Sequence, residues 1–462
     1  EDLMFDMKGM NAVEYVAGHA SELDYDMLSP LAIKRAGQVI VDTICCALGA
    51  RDTDLGKLAA EYAMATEPGN EAILWGTNVK LSSAGAAWAN AVASKHIEMD
   101  DSHRICGHVA AELVPLAIAI CEQRGLTGKD LVRIVAAGYD VFGAIQPGVK
   151  VAQRVRGLDH KSQAGTLASA VVAALAMDLG KDKVANALAL SMDMASGTEQ
   201  YVFDAGLCDT KDLLSGFAVR NGIYAAQLSA AGFQGPPGAL DGEYGYYHAF
   251  GDGYDQAFLA NLGKDFTIAE TGFKPHAGCR HVHACVDATN DLLSQGKPDL
   301  SEVAKIRVGS YKNAITPSFR VKYDCDTVNQ AGFSLPVTVS VVLNKGSWYK
   351  EDIASFDQPE VQELVPKVEV VLDEQINSDW PEKNGCVVEV TTNGGDVYKG
   401  HVSYALGEPE NMLSDEEFES KFRYLAKGVI SEDNITALCN MVDTVGDIDD
   451  VSELVKLTLP DS

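Results

Sequence analysis

PLAIKRAGQVIVDTICCALGA, from Pro30 to Ala50, carries its apolar residues at intervals of three and four. This spacing places them on one face of an α-helix. Comparable alanine-rich segments follow as far as Leu262, and small side chains let helices approach each other closely. They are SAGAAWANAVASKHI, AELVPLAIAICEQRG, GKDLVRIVAAGYDVFGAI and NGIYAAQLSAAGF. The pattern predicts a large helical domain.

The hydrophobic pattern changes after about Gly263. Alternating or β-branched apolar runs now predict strands, and TTNGGD predicts a hairpin turn between two of them. The runs are VAKIRVGSY, FSLPVTVSVVLNKG, KVEVVLD and CVVEVTTNGGDVYKGHV. Acidic helical segments with capping signals return from about Glu408. We therefore predict a mainly α fold, in which an all-helical domain (residues 1–262 plus 408–462) carries an inserted smaller α+β domain (residues 263–407).

Charge and composition exclude several kinds of partner. The chain has 462 residues, of which 37 are Lys or Arg and 66 are Asp or Glu, and its net charge is −29. Such a charge repels nucleic acids and anionic membranes. Apolar runs such as LASAVVAALAM are shorter than the roughly 20 residues that span a bilayer. Ten cysteines without a CxxC pair, and an N-terminus without signal-peptide features, predict a cytoplasmic protein.

The segment HIEMDDSHRICGH contains the densest group of ionisable side chains, and a metal site is one interpretation of it. On a helix, two ligands must be three or four residues apart to share a face. His96 with Asp100 would then face away from Glu98 with Ser102, so the spacing argues against a metal. Proton transfer and a solvated surface remain as alternatives.

The segment KPHAGCRHVHAC, which begins at Lys274, permits two interpretations. If it forms a strand, Cys279, His281 and His283 share a face and could bind zinc, although a fourth ligand is missing. Alternatively, Lys274, Arg280 and a histidine present positive charge at the domain boundary.

Two further segments carry weaker signals. RVRGLDHKSQAG places His160 and several cations before an apolar helix, whose N-terminus would favour an anion, unless the segment is an ordinary polar loop. Lys211 in CDTKDLLSG is either a solvated or a functional lysine. The chain has no P-loop, no GxSxG and no GxGxxG after a strand, so nucleotide binding and serine hydrolysis have little support.

Taken in order, several segments resemble the MmgE/PrpD family, which contains 2-methylcitrate dehydratases, cis-aconitate decarboxylases and iminodisuccinate epimerases. They include DTICCALGA, HIEMDDSH, GLDHKSQAGTLASA, DTKDLLSGFAVRNGIYAAQLSAAGF, FKPHAGCRHVHACVDA and AGFSLPVTVSVVL. The resemblance implies a helical domain with an inserted α+β lid, a homodimer, and an active site between the domains that uses no metal or cofactor.

The resemblance also implies a set of site residues. Carried over position by position, they are Glu98, Ser102, His108, His160, Lys211, Lys274 and His281. The chain departs from the commoner family pattern at three of the matched positions. Glu98 replaces an aspartate, Ser102 replaces a threonine, and Leu214 stands where many members have a histidine.

The chemistry shared by the family, as the resemblance implies it, makes or breaks a bond to a carbon beside a carboxylate of a small di- or tricarboxylate. A C–H bond at such a carbon is a very weak acid, so a base must act together with fixed positive charge that stabilises the enediolate. We expect Lys211, Lys274 and Arg280 to supply that charge and to bind the anionic substrate.

Histidine is the natural proton carrier near neutral pH. We expect His108 to act as general acid/base, with Glu98 or Asp101 orienting it. A second group, His160 or His281, would protonate the departing hydroxyl in a dehydration.

These expectations define a first hypothesis and its alternatives. The first is a cofactor-independent hydro-lyase of the 2-methylcitrate dehydratase type. An epimerase or racemase of an imino- or aminodicarboxylate needs the same residues, and a cis-aconitate decarboxylase is a third possibility within the family. Two alternatives lie outside the family: a metal-dependent hydrolase and a non-catalytic helical binding protein.

Overall fold

The computed structural model describes residues 7, 9–203, 208–316 and 318–460, without the side chains of residues 160, 203 and 318. The α-helices are α1 (Ala12–Glu22), α2 (Pro30–Ala50), α3 (Asp54–Thr66), α4 (Ser83–His96), α5 (Ala110–Arg124), α6 (Gly128–Ile145), α7 (Lys150–Val155), α8 (His160–Ala176), α9 (Lys181–Ser191), α10 (Gln200–Phe203), α11 (Thr210–Ala231), α12 (Tyr246–Phe250), α13 (Arg280–Gln295), α14 (Lys312–Ile315), α15 (Val328–Ala331), α16 (Leu335–Lys345), α17 (Lys350–Ile353), α18 (Pro359–Gln362), α19 (Glu374–Asp379), α20 (Asp415–Ala426), α21 (Glu432–Met441) and α22 (Ser452–Lys456). The strands are β1 (Pro68–Ile73), β2 (Lys80–Leu81), β3 (Asp101–Ser102), β4 (Gly272–Phe273), β5 (Val303–Ser310), β6 (Val368–Leu372), β7 (Cys386–Thr392) and β8 (Val397–Val402). The predicted mainly α fold is confirmed.

The long helices of the N-terminal part pack against one another around a shared apolar core. Helix α11 packs on α8 and α4, and α4 packs on α2 and α5. A Cβ atom at Gly222 of α11 would lie 2.4 Å from the Cβ of Ser169 in α8. Small residues therefore allow the close helix approach that the alanine-rich sequence predicts.

Helix α2 is capped as its sequence indicates, and its N-terminal residues are held in place. The Ser29 hydroxyl accepts a hydrogen bond from the Ala32 N–H at 3.2 Å, and Pro30 occupies the first turn. Helices α20 and α21 pack against α2, and the buried side chains of Lys421 and Asp42 form an ion pair. Through these contacts the C-terminal residues lie against the N-terminal helices. The division at residues 262 and 408 remains a prediction.

Two short sheets interrupt the helical part, which the sequence does not predict. Strands β1 and β2 pair antiparallel, so the expectation of an all-helical domain is wrong in this detail. The segment that includes Pro68 and Gly69 disfavours helix, which leaves the backbone free to pair. Strand β3 pairs with β4, with Asp101 opposite Phe273, and so joins two distant parts of the chain.

The larger sheet has the order β6-β5-β7-β8, in which β5 and β6 are parallel and the other pairs antiparallel. Strands β7 and β8 form the hairpin predicted from TTNGGD, and Gly395 in its turn has a φ of +89°. Helix α13 packs on β7 and β8, and α16 packs on α13. This arrangement places the N-terminus of α13 next to the helical part.

The predicted strand in FSLPVTVSVVLNKG is wrong, because the segment forms helix α16. Every residue from Leu335 to Leu343 is buried, so the apolar side chains show no amphipathic period. The Ser334 side chain caps the helix by accepting from the Val337 N–H, and Gly346 ends it in a left-handed conformation. These capping residues outweigh the strand preference of valine.

Among the described residues, none of the helices combines the length and the apolar character needed to cross a membrane.

Candidate active site

The segment HIEMDDSHRICGH is a turn between two helices rather than a continuous helix. Helix α4 ends at His96, and Glu98 has a φ of 59°, an uncommon conformation for a residue other than glycine. Gly107 has a φ of +79° before α5 begins at Ala110. The argument from helical spacing against a metal site therefore does not apply. The side chains of this segment come together through tertiary contacts.

A buried lysine lies at the centre of these contacts. Lys274 is 0% exposed, and its Nζ lies 3.0 Å from Oε2 of Glu98 and 2.8 Å from Oδ1 of Asp100. Lys95 Nζ lies 2.7 Å from the other carboxylate oxygen of Asp100. Because buried charges are tolerated only when they are paired, these side chains hold one another in place.

Lys211 extends this arrangement. It forms an ion pair with Glu98, and its Nζ lies 3.1 Å from Oδ1 of Asp212. Nδ1 of His96 lies 2.8 Å from the second oxygen of Asp212. We call the six alternating charges the lysine network: Lys95, Lys211, Lys274, Glu98, Asp100 and Asp212.

The network alters the acidity of its members. Burial lowers the pKa of Lys211 to about 8, with Lys95 and Lys274 adding to the effect and Asp212 opposing it. Against the effect of burial, Lys211 and His96 lower the pKa of Asp212 to about 2. Lys211 can therefore give up or take a proton near neutral pH, whereas Asp212 stays charged.

His108 is held in one tautomer. Its Nδ1 lies 2.6 Å from the backbone carbonyl oxygen of Asp101, which can only accept a hydrogen bond, so Nδ1 carries the proton. Burial, together with the charges of Lys274 and Lys95, lowers the pKa of His108 well below its usual value. The imidazole is therefore neutral, and Nε2 carries a free lone pair.

The carboxylate of Asp101 lies close to the side chain of His108. It accepts hydrogen bonds from the Ala110 N–H at 3.2 Å and from the Tyr139 hydroxyl at 2.8 Å. Burial and the negative charge of Asp100 raise the pKa of Asp101 to about 7. Asp101 contacts His108 through its backbone, while its side chain fixes the start of α5.

A prediction for stability follows from Asp101. The pKa of Asp101 is about 7 in the folded state and about 3.9 in an unfolded chain. Between about pH 4 and 7 the folded state therefore holds a proton that the unfolded state releases. Stability due to this group is therefore greatest at low pH and is lost as the pH rises through about 7. Compared with Asp101→Asn, the wild type should lose up to about 1.4 kcal/mol of unfolding free energy per pH unit in that window.

Urea unfolding of both proteins at several pH values from 4 to 8 measures this difference. Replacement of the exposed Asp193 by asparagine is the matched control, and it should give no such slope. A constant difference between the wild type and Asp101→Asn across the range would show that Asp101 is ionised throughout.

Asp100, Asp101 and His108 bring three possible metal-ligand atoms within 4.8 Å of one another. The donor atoms are already engaged, however. Asp100 binds two ammonium groups, Asp101 accepts from Ala110 and Tyr139, and the protonated Nδ1 of His108 faces a carbonyl. A divalent cation would also meet the lysines, so this donor set does not fit a metal.

The zinc hypothesis for Cys279, His281 and His283 is wrong, because helix α13 begins at Arg280 and these side chains do not share a strand face. Arg280 pairs with Glu408, with 2.7 Å between Nη2 and Oε1. Nδ1 of His281 lies 2.6 Å from the Tyr311 hydroxyl. Arg280 and His281 thus stand outside the lysine network.

Three further positions singled out in the sequence are His160, Ser102 and Leu214. His160 begins α8, and its side chain lies outside the described residues. At the start of this helix the Asp159 side chain accepts from the Ser162 N–H, and an anion there remains a prediction. Ser102 is half-buried in β3, and Leu214 packs against Tyr201.

The sequence reasoning missed several residues that build the site, namely Lys95, His96, Asp100, Asp212 and Tyr139. Asp100 and His96 belong to the segment HIEMDDSHRICGH, but no spacing in the sequence predicts their partners. Asp212 directly follows Lys211, and this adjacency of opposite charges was the available signal.

Two protein-family models match most of the chain. The MmgE/PrpD N-terminal domain matches residues 14–259, and the MmgE/PrpD C-terminal domain matches residues 276–444. The chain is 26% identical to a cis-aconitate decarboxylase of Homo sapiens, over 93% of this chain and 91% of that protein. It is 25% identical to one of Aspergillus terreus, over 95% and 94%, and 24% identical to one of Mus musculus, over 97% and 93%. The two domain matches cover most of the sequence, and the chain therefore belongs to the MmgE/PrpD family.

Proposed function

We propose that this protein is a lyase or isomerase that needs neither metal nor cofactor and transfers a proton at a carbon beside a carboxylate of a small di- or tricarboxylate. The observation that carries the proposal is the fixed tautomer of His108. Its Nε2 has a free lone pair close to Lys274 and Lys95. A neutral base beside fixed cations is what the removal of a proton from such a carbon requires.

In the proposed reaction, Nε2 of His108 takes the proton, and the electron pair of the C–H bond moves toward the carboxylate. The ammonium groups of Lys211 and Lys274 stabilise the resulting enediolate. For dehydration, the electron pair then forms the double bond while the neighbouring C–O bond breaks. Lys211, whose pKa is about 8, protonates the departing hydroxide to water. This assigns to Lys211 the role that the sequence gave to His160 or His281.

Decarboxylation of cis-aconitate is a second candidate, which the names of the relatives favour. There the C–C bond to one carboxylate breaks, carbon dioxide leaves, and the remaining electron pair takes a proton at carbon. The same cations would stabilise the carbanion.

The homodimer, the lid and the cytoplasmic location remain parts of the proposal. Light scattering of the purified protein tests the homodimer.

Proton NMR in deuterated water, with excess chelator, tests the proposal against 2-methylcitrate, citrate, cis-aconitate and an aminodicarboxylate. New vinyl signals indicate dehydration, release of carbon dioxide indicates decarboxylation, and deuterium uptake without loss of substrate indicates epimerisation. Activity that chelation abolishes and zinc or manganese restores would favour the metal-dependent alternative. No change in any substrate would overturn the proposal.

A further inference from the structure

The lysine network has little positive charge left for a substrate. Lys274 is shared by Glu98 and Asp100, and Lys211 is paired with Glu98 and Asp212. Each ammonium group is therefore neutralised by a carboxylate of the same chain. A substrate with several carboxylates needs additional cations, and these lie beside His281.

We call this second group the arginine cluster: Lys150, Arg154, Arg280 and Arg320. His281, which follows Arg280 in α13, lies 2.6 Å from the Tyr311 hydroxyl through its Nδ1. Arg320 is tied to the same segment, since its Nη1 donates to the carbonyl of Asn313 at 2.6 Å. The charges of all four cations act on His281, whose pKa is lowered chiefly by burial and also by each of them.

Hydrogen bonds bring helix α7 next to the start of α13. Arg280 and Arg104 share the carboxylate of Glu408, at 2.7 and 3.7 Å. Lys150 at the start of α7 donates to the Arg104 carbonyl at 2.7 Å. Arg154 lies one helical turn after Lys150, so it is placed on the same side of this assembly.

Among the described residues, Arg154 and Arg320 have no carboxylate partner, and Lys150 of the same cluster donates only to backbone carbonyls. In the part of the chain that the structure describes, neither guanidinium lies within ion-pair distance of an acidic side chain. Arg320 is only 7% exposed, and its Nε has no hydrogen-bond partner among the described residues. Arg35 and Arg51 are also buried without an ion pair among the described residues. Arg320 differs from them in acting on His281 together with other cations, and such a group of charges favours an anion from outside the chain.

The carboxylate of Glu199 interacts electrostatically with Arg154 and Arg320 and offsets part of their charge. Burial raises the pKa of Glu199, although Lys161, Arg154 and Arg320 oppose the shift. Lys161 also packs against Gly107, and its charge acts on both His108 and Lys150. The arginine cluster therefore adjoins the lysine network on the side of Lys161.

We propose that Arg154 and Arg320 form an anion subsite that binds a carboxylate of the substrate remote from the carbon that reacts at His108. The inference rests on the proposed function and narrows its substrate class to polycarboxylates whose carboxylates can reach both clusters. Guanidinium groups suit this role because their planar donors match the two oxygens of a carboxylate.

Binding to the full chain, measured by calorimetry with citrate, inorganic phosphate and acetate as probes, tests the subsite. Arg154→Gln and Arg320→Gln should each weaken citrate binding about tenfold to a hundredfold. KM for an active polycarboxylate should rise with them, while kcat changes less. Arg154 is exposed, so its variant gives an answer even where the buried Arg320 variant does not fold. Arg156→Gln is the matched control, because Arg156 already pairs with Asp252 at 3.1 Å, and it should bind citrate as the wild type does.

The outcomes separate the subsite from the proposed reaction. Citrate binding that depends on the arginines, without turnover of any polycarboxylate, would support the subsite and contradict the reaction. Turnover with citrate binding unchanged in Arg154→Gln would overturn the subsite alone. Failure of the wild type to bind citrate would overturn it as well. Arginine-dependent phosphate binding that does not compete with citrate would identify a site for a free anion and likewise overturn the substrate role.

Discussion

Replacing His108 by glutamine is expected to reduce turnover by about 10²- to 10⁴-fold, which is the usual contribution of a positioned acid/base group. The variant loses the imidazole whose Nδ1 donates to the Asp101 carbonyl and whose Nε2 holds the free lone pair. An amide cannot take a proton from carbon near neutral pH. Because the side chain is 19% exposed and glutamine is of similar size, the fold should remain intact. Steady-state assays by NMR measure the turnover, and circular dichroism checks the fold.

A second variant separates proton transfer from positioning. His108→Asn carries its amide close to the place of Nδ1, so it can keep the hydrogen bond to Asp101 while lacking a base. It should be as inactive as the glutamine variant. His248→Gln changes an exposed histidine and should leave turnover unchanged. If His108→Asn retained more than a tenth of the wild-type rate, His108 would only position its neighbours.

The helices were predictable where the local signals agreed. The regular three-and-four spacing in Pro30–Ala50 is reinforced by a serine cap and a proline in the first turn. Ser414 and Ser431 likewise cap α20 and α21, as the sequence indicates. Helix α16 was missed because burial on all sides removes the periodic signal, and valine content then points to a strand.

The site was predictable as a set of residues but not as a set of contacts. Resemblance named His108, Lys211 and Lys274, and the structure places them together. Their partners come from distant parts of the chain: His96 and Asp212 are 116 residues apart, and Lys274 and Asp100 are 174 apart. Spacing along the sequence carries no information about such pairs.

The expected electrostatics of the site require revision for the same reason. From the sequence, Lys211 and Lys274 are free cations in an acidic protein. In the structure they are neutralised by Glu98, Asp100 and Asp212. Among the described residues, Lys150, Arg154 and Arg320 have no carboxylate partner, and the sequence left them unassigned or placed them in a loop. Which cation remains available for an anion depends on the pairing of all the others.

Replacing Lys274 by methionine is expected to lower the free energy of unfolding by about 3–5 kcal/mol. Lys274 is fully buried between the carboxylates of Glu98 and Asp100, so its loss leaves two desolvated negative charges with one cation each, Lys211 and Lys95. The left-handed backbone of Glu98 also loses one of the two ion pairs that hold it. Urea unfolding at pH 7 measures the change, and turnover should be lost as well.

Two comparisons assign this effect to the buried pairing. Lys181 pairs with Glu22 on the surface, where both side chains are largely exposed, so Lys181→Met should cost no more than about 1 kcal/mol. Adding Glu98→Gln to Lys274→Met removes one stranded carboxylate and should recover part of the lost stability, giving a favourable coupling in the double-mutant cycle. A loss below about 1 kcal/mol in Lys274→Met, or strictly additive variants, would mean that Lys274 is not the cation on which this network depends.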